Sequence, residues 1–97
     1  MKRTEVVNIR YAVYDVYIGR AGHGEDGYVG NPFRLLPGMN RGATLNRYRS
    51  YFYERLRTDA EFRRRIHALK GKRLGCFYKP YPCHGDIIKE YLDTLDE

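Results

Sequence analysis

Two patterns of apolar spacing alternate along the chain, and together they predict its elements. Short β-branched runs at Glu5–Arg10 and Asp15–Arg20, and an apolar run at Lys72–Tyr78, predict three strands. Over residues 43–57, Leu45, Tyr48, Phe52 and Leu56 recur at steps of three and four, which predicts a helix with one buried stripe. Arg47 and Arg57 lie off that stripe and Arg49 flanks it. Thr58 with Glu61 fits a capping box opening a second helix, with Phe62, Ile66 and Leu69 as its buried stripe and Gly71 as its stop. A last helix is predicted from about His84 to Leu95, burying Ile88, Tyr91, Leu92 and Leu95. Tyr11–Tyr14 is too short for a helical crossover, so the first two strands would be antiparallel if they paired directly. The expectation is an α/β (or α+β) fold: a small mixed sheet of about three to four strands with three helices, in a single domain over 1–97.

Between Gly19 and Gly42 the pattern breaks. Seven glycines, with Pro32 and Pro37, predict a long irregular connection of the kind used for binding loops. Gly22-x-Gly24-x-x-Gly27 matches a dinucleotide fingerprint in spacing only, because no helical pattern and no βαβ context follow. Asn31, held extended by Pro32, offers an amide that donates and accepts; the plainer reading is an Asn-Pro turn with Phe33 plugging the core. Asn8 reads as a solvent-facing strand residue or as a polar group aimed at a pocket.

Composition narrows the class. An apolar fraction of 42% with 14% aromatics fits a folded chain. No apolar run is long enough to span a bilayer and Met1–Glu5 has no signal-peptide pattern, so a cytoplasmic protein without a membrane partner is expected. Two cysteines do not make a disulfide framework and are expected as thiols. The net charge of +6 is concentrated: between Arg41 and Arg73, eleven Lys and Arg face Glu54, Asp59 and Glu61 alone. Such a region suits a nucleotide or nucleic acid, or is simply a solvated helix face. The nucleic-acid reading rests on Arg41, Arg47 and Arg57, with Tyr51 and Tyr53 as stacking candidates. Arg63, Arg64 and Arg65 fan in three directions and cannot form one clamp, and His67 reads as a surface or packing residue.

The densest chemistry lies in Gly75–Asp86, which holds Cys76, Cys83, His84 and two prolines where a strand meets a helix start. Backbone amides at such a start attract anions. Arg20 offers a fork for phosphate or carboxylate, Gly85 a close backbone approach, and His84 a general acid or base that Asp86 or Asp15 could orient. Cys76 is a candidate nucleophile, since a helix start lowers a thiol's pKa. Each residue also has a plain structural reading: an ion-paired arginine, buried thiols, a helix-start acid. With Gly19 and Asn31, these side chains would line one cleft beyond the strand ends.

Five segments in order, Val6–Arg10, Asp15–Arg20, Gly30-Asn31-Pro32-Phe33, Gly71–Cys76 and Pro82-Cys83-His84-Gly85-Asp86, resemble the small phage and bacterial family named domain of unknown function 4326. The resemblance spans nearly the whole chain and implies a phage or prophage origin, hence a host-cytoplasm setting; it assigns no activity. Its pattern often carries a cysteine where Tyr78 stands here, so Cys76, Cys83 and His84, with His23 as a remote fourth, fall short of the paired spacings of structural zinc. No metal and no cofactor are expected. A Cys76–Cys83 disulfide is conceivable across the loop but disfavoured in a reducing compartment. Two functions follow: a domain that binds, and in the fuller version processes, a nucleotide, nucleoside or other phosphate-bearing molecule; or a non-enzymatic basic binder of nucleic acid or of a host protein. A virion or assembly component is a third reading, unsupported by the long polar loop.

Overall fold

The structure, a computed structural model, describes residues 3–19, 27–30, 32, 41–76 and 83–95. Arg20, His23, Asn31, Phe33, residues 77–82 and the side chain of Arg41 lie outside the described residues. The elements are β1 (Glu5–Asn8), β2 (Val16–Tyr17), α1 (Arg41–Thr58), α2 (Ala60–His67), β3 (Arg73–Cys76) and α3 (His84–Thr94). This is the expected α/β composition of three helices and a small sheet.

The sheet order is β1-β3-β2, and both outer strands run parallel to β3. β1 and β2 therefore never pair, and the antiparallel arrangement that direct pairing would require does not arise. In the observed register Val6, Leu74 and Val16 share one face, with Asn8 and Cys76 on the same side. That face meets the helices in one core containing Ile18, Tyr48, Phe52, Phe62, Ile66, Leu74, Cys76, Cys83, Ile88 and Leu92. On the opposite face, residues 9–15 cross from β1 to β2 over the middle strand. They can pass because Gly75 has no side chain: a Cβ there would lie 2.6 Å from Ile9 Cγ2 and 2.8 Å from Tyr14 Cγ. Asn8 starts this crossover. Its Oδ1 accepts from Arg10 N at 2.8 Å and its carbonyl from Tyr11 N and Ala12 N, so its side chain forms a turn. Asp15 ends the crossover by gripping the backbone of Arg73, whose N–H it accepts and whose carbonyl it donates to.

The helices form for the reasons the stripes predict, with two corrections. α1 continues through Thr58, whose hydroxyl donates to Glu54 O, and Asp59 caps α2 by accepting from Phe62 N at 3.0 Å. Thr58 is thus a last-turn residue of α1, and the second helix starts one residue later than expected. Leu95, expected in the core, is 39% exposed just beyond α3. Gly71 does stop the turn after α2, at φ 79°, and donates to the buried Thr4 hydroxyl.

The hydrogen bond from Phe62 N, then that from Arg55, holds the Asp59 carboxyl below the usual carboxylate range. A depressed folded-state pKa stabilises above the unfolded value and loses that contribution as pH falls through the folded one. The gap in Tm between the wild type and Asp59→Ala is therefore expected to be open near about pH 7 and to close toward about pH 2. A gap independent of pH would show that the carboxylate is not what caps the helix.

Candidate functional site at the carboxyl end of the sheet

Parallel strands place their carboxyl ends on one edge of the sheet, and α3 begins at that edge. Ile18 extends β2 by donating its N–H to Gly75 O, which leaves its own carbonyl pointing past the strand end. His84, the first residue of α3 and 5% exposed, meets that carbonyl with Nε2 at 2.6 Å. A carbonyl only accepts, so Nε2 carries the hydrogen of this bond. The ring edge packs on Tyr48, with centroids 5.2 Å apart, and the Tyr48 hydroxyl donates to Val29 O. Burial pushes the Tyr48 hydroxyl far above its ordinary pKa, so it remains a donor.

Gly85 sits directly behind. A Cβ there would lie 2.7 Å from Ile18 Cδ1 and 2.9 Å from Val6 Cγ1, so the missing side chain lets α3 close on β1 and β2. Gly19 is buried beneath the ring of Tyr17. Asp86 accepts from Cys83 N at 3.2 Å, reaching back across the first turn as an N3 acid does. The carboxylates named as partners for His84 are thus engaged with backbone, Asp86 at Cys83 and Asp15 at Arg73, while Ile18 orients the ring.

Cys76 and Cys83 are free thiols, 1% and 2% exposed, with their sulfurs 3.1 Å apart. The hydrogen bond with Cys76, followed by burial, pushes the Cys83 thiol well above its ordinary pKa. That is opposite to the lowering a helix start alone would give. Among the described residues no group of three or more His, Cys, Asp and Glu side chains is placed to hold a metal ion.

The other candidates lie elsewhere. Arg47 lines an open groove along α1 with Asn46, Ser50, Tyr51 and Glu54. Arg57 is paired with both Glu54 carboxylate oxygens at 2.7 Å. The three-arginine fan is as expected: Arg63 donates to Leu56 O, Arg64 pairs with Glu61, and Arg65 stacks on Tyr28. Tyr28 is gripped between Arg65 and Arg55, whose guanidinium carbons stand 3.6 Å and 4.6 Å from the ring centre. Tyr51 is half-buried with its hydroxyl accepting from Arg55, and His67 is an exposed residue stacked on Tyr91. The charge of α1 and α2 is thus largely matched with acids, carbonyls and rings of the chain itself. Sequence reasoning missed Ile18 and Tyr48, because a backbone carbonyl leaves no trace in sequence and Tyr48 reads as a member of the apolar stripe.

Parallel strands, helices packed on one face and a helix start beside the carboxyl edge define a two-layer α/β domain with its candidate site at that edge. The chain belongs to the family described as domain of unknown function DUF4326, whose model matches residues 1–94. It is 34% identical over 90 residues to the "Uncharacterized 12.4 kDa protein in nrdA-td intergenic region" of Enterobacteria phage T4, covering 93% of this chain and 78% of that protein. No solved structure matches. Among the described residues no helix is long and apolar enough to cross a membrane.

Proposed function

We propose that the domain binds a phosphate-bearing nucleotide or nucleoside derivative in the crevice beyond the carboxyl ends of β2 and β3. The observation that supports this reading is the His84–Ile18 hydrogen bond, which draws the first turn of α3 against the end of β2. Open α/β sheets bind ligands in such crevices, beside a helix start. The chain that follows Ile18 and Gly19 begins with Arg20, and the long connection carries Asn31. In this reading Arg20 takes the phosphate and Asn31 a base or sugar edge. Asp86 and Gly85 shape the first turn, and His84 fixes it through Nε2. The raised Cys83 thiol gives no support to a thiolate at that residue acting on the ligand, and the reading is one of binding. A nucleic-acid surface built on Arg41, Arg47 and Arg57 is less favoured, because Glu54 already neutralises Arg57 and sits between it and Arg47 on α1.

The test is a thermal-shift screen of the protein against nucleotides, nucleosides and sugar phosphates. A ligand at about a hundredfold over its Kd stabilises by about 2.7 kcal/mol, a rise of roughly 10 °C in Tm for a domain of this size. At least one phosphate-bearing compound is expected to give such a shift, and Arg20→Ala is expected to abolish it. A blank screen, or a shift indifferent to Arg20→Ala, would overturn the reading.

A further inference from the structure

We propose that Cys76 and Cys83 form a reversible oxidation site, closed to an intramolecular disulfide by a small hydroperoxide. The two sulfurs stand 3.1 Å apart, closer than the roughly 3.5–4.0 Å at which even the smaller carbon atoms pack without bonding. A disulfide requires an approach of only about 1 Å more, to a bond of about 2.05 Å. Both sulfurs already face each other, one at the last residue of β3 and the other at the residue that caps α3. They are also the only two cysteines in the sequence, so an intramolecular disulfide can join only this pair.

The chemistry balances with the hydroperoxide as the two-electron oxidant. One thiol loses its proton and its sulfur attacks the outer peroxide oxygen. The O–O bond breaks and an alcohol, or water from hydrogen peroxide, leaves with that proton. The resulting sulfenic acid is then attacked by the second sulfur; the S–O bond breaks, the S–S bond forms, and water departs with the second thiol's proton. Two thiols and one hydroperoxide thus give one disulfide, one alcohol or water, and one further water. With the sulfurs 3.1 Å apart, whichever one is oxidised first has the other in place to resolve it. Burial to 1% and 2% leaves a bulky disulfide such as oxidised glutathione little access to either sulfur, so the oxidant named is the small hydroperoxide.

The product would clamp β3 to α3 at the carboxyl edge of the sheet and close residues 76–83 into a small ring. The proposal stands independently of any ligand. It is tested by intact-mass spectrometry and non-reducing electrophoresis of the wild-type protein after hydrogen peroxide and after glutathione disulfide. The expected result is a monomer lighter by two hydrogens after peroxide, restored by dithiothreitol, with Tm raised by roughly 10 °C in the oxidised form. An unchanged mass, added oxygens without loss of hydrogens, a disulfide-linked dimer, or a persistent glutathione adduct would each overturn it. Cys83→Ser, which keeps a side chain able to cap α3, is expected to let dimedone trap a sulfenic acid at Cys76. Absence of the adduct in that variant while it remains folded by circular dichroism would overturn the sulfenic-acid route.

Discussion

Replacing Phe52 by alanine is expected to destabilise the protein by about 3–5 kcal/mol, a large share of the roughly 5–15 kcal/mol that a domain of this size has in total. The reason is position. The ring is fully buried and packs on four others: Tyr48 and Phe62 at 5.8 Å between centroids, Tyr91 at 5.8 Å and Tyr53 at 5.3 Å. Those partners come from α1, α2 and α3, so one side chain couples all three helices. Each edge-to-face pair adds about 0.5–1.5 kcal/mol beyond the buried area. Urea unfolding is expected to show a lower midpoint with an unchanged slope. A loss under about 1 kcal/mol would mean that the helices are held together elsewhere.

Gly75→Val is the second large effect, expected to cost about 3 kcal/mol by overpacking. Valine adds a branched side chain where a single Cβ already meets Ile9 and Tyr14, and the crossover would have to lift from the sheet. Gly75→Ala is expected to cost less, and less again in an Ile9→Ala background, because the closest of its contacts, Ile9 Cγ2, would then be gone. A double-mutant cycle reads that coupling directly. If the two substitutions proved additive, the crossover would not be resting on Gly75.

The helices were legible because their burial follows a period that sequence carries. Tyr48, Phe52 and Leu56, then Phe62 and Ile66, then Ile88 and Leu92 all face the core. What failed was finer. Thr58 and Asp59 both look like cap residues, and the choice is made by how far α1 runs, which depends on tertiary packing. Leu95 is the residue that closes the last turn of α3, donating its N–H to Leu92 O, and its side chain stays exposed there. Strand order was hidden because apolar runs say which residues pair, not with whom. A short link suggests a hairpin, and only the absent side chain of Gly75 makes the crossover possible. At the site, the cysteine-histidine cluster was visible as composition, but the partner that fixes His84 is the carbonyl of Ile18. Arg20 and Asn31 lie outside the described residues, so their part in the crevice rests on sequence.

Placing β3 in the middle of the sheet has a kinetic consequence. Glu5 pairs with Arg73 and Val16 with Leu74, so both outer strands depend on a segment far from them in sequence. Until it arrives the first two strands have no mutual ladder to form, and the chain must close a long loop to gain its first sheet contacts. α1 and α2 can pair early through local contacts, whereas the sheet condenses late and in one step. The amides of β1 and β2 would therefore be the last to become protected from exchange during refolding, although both strands precede the helices in sequence.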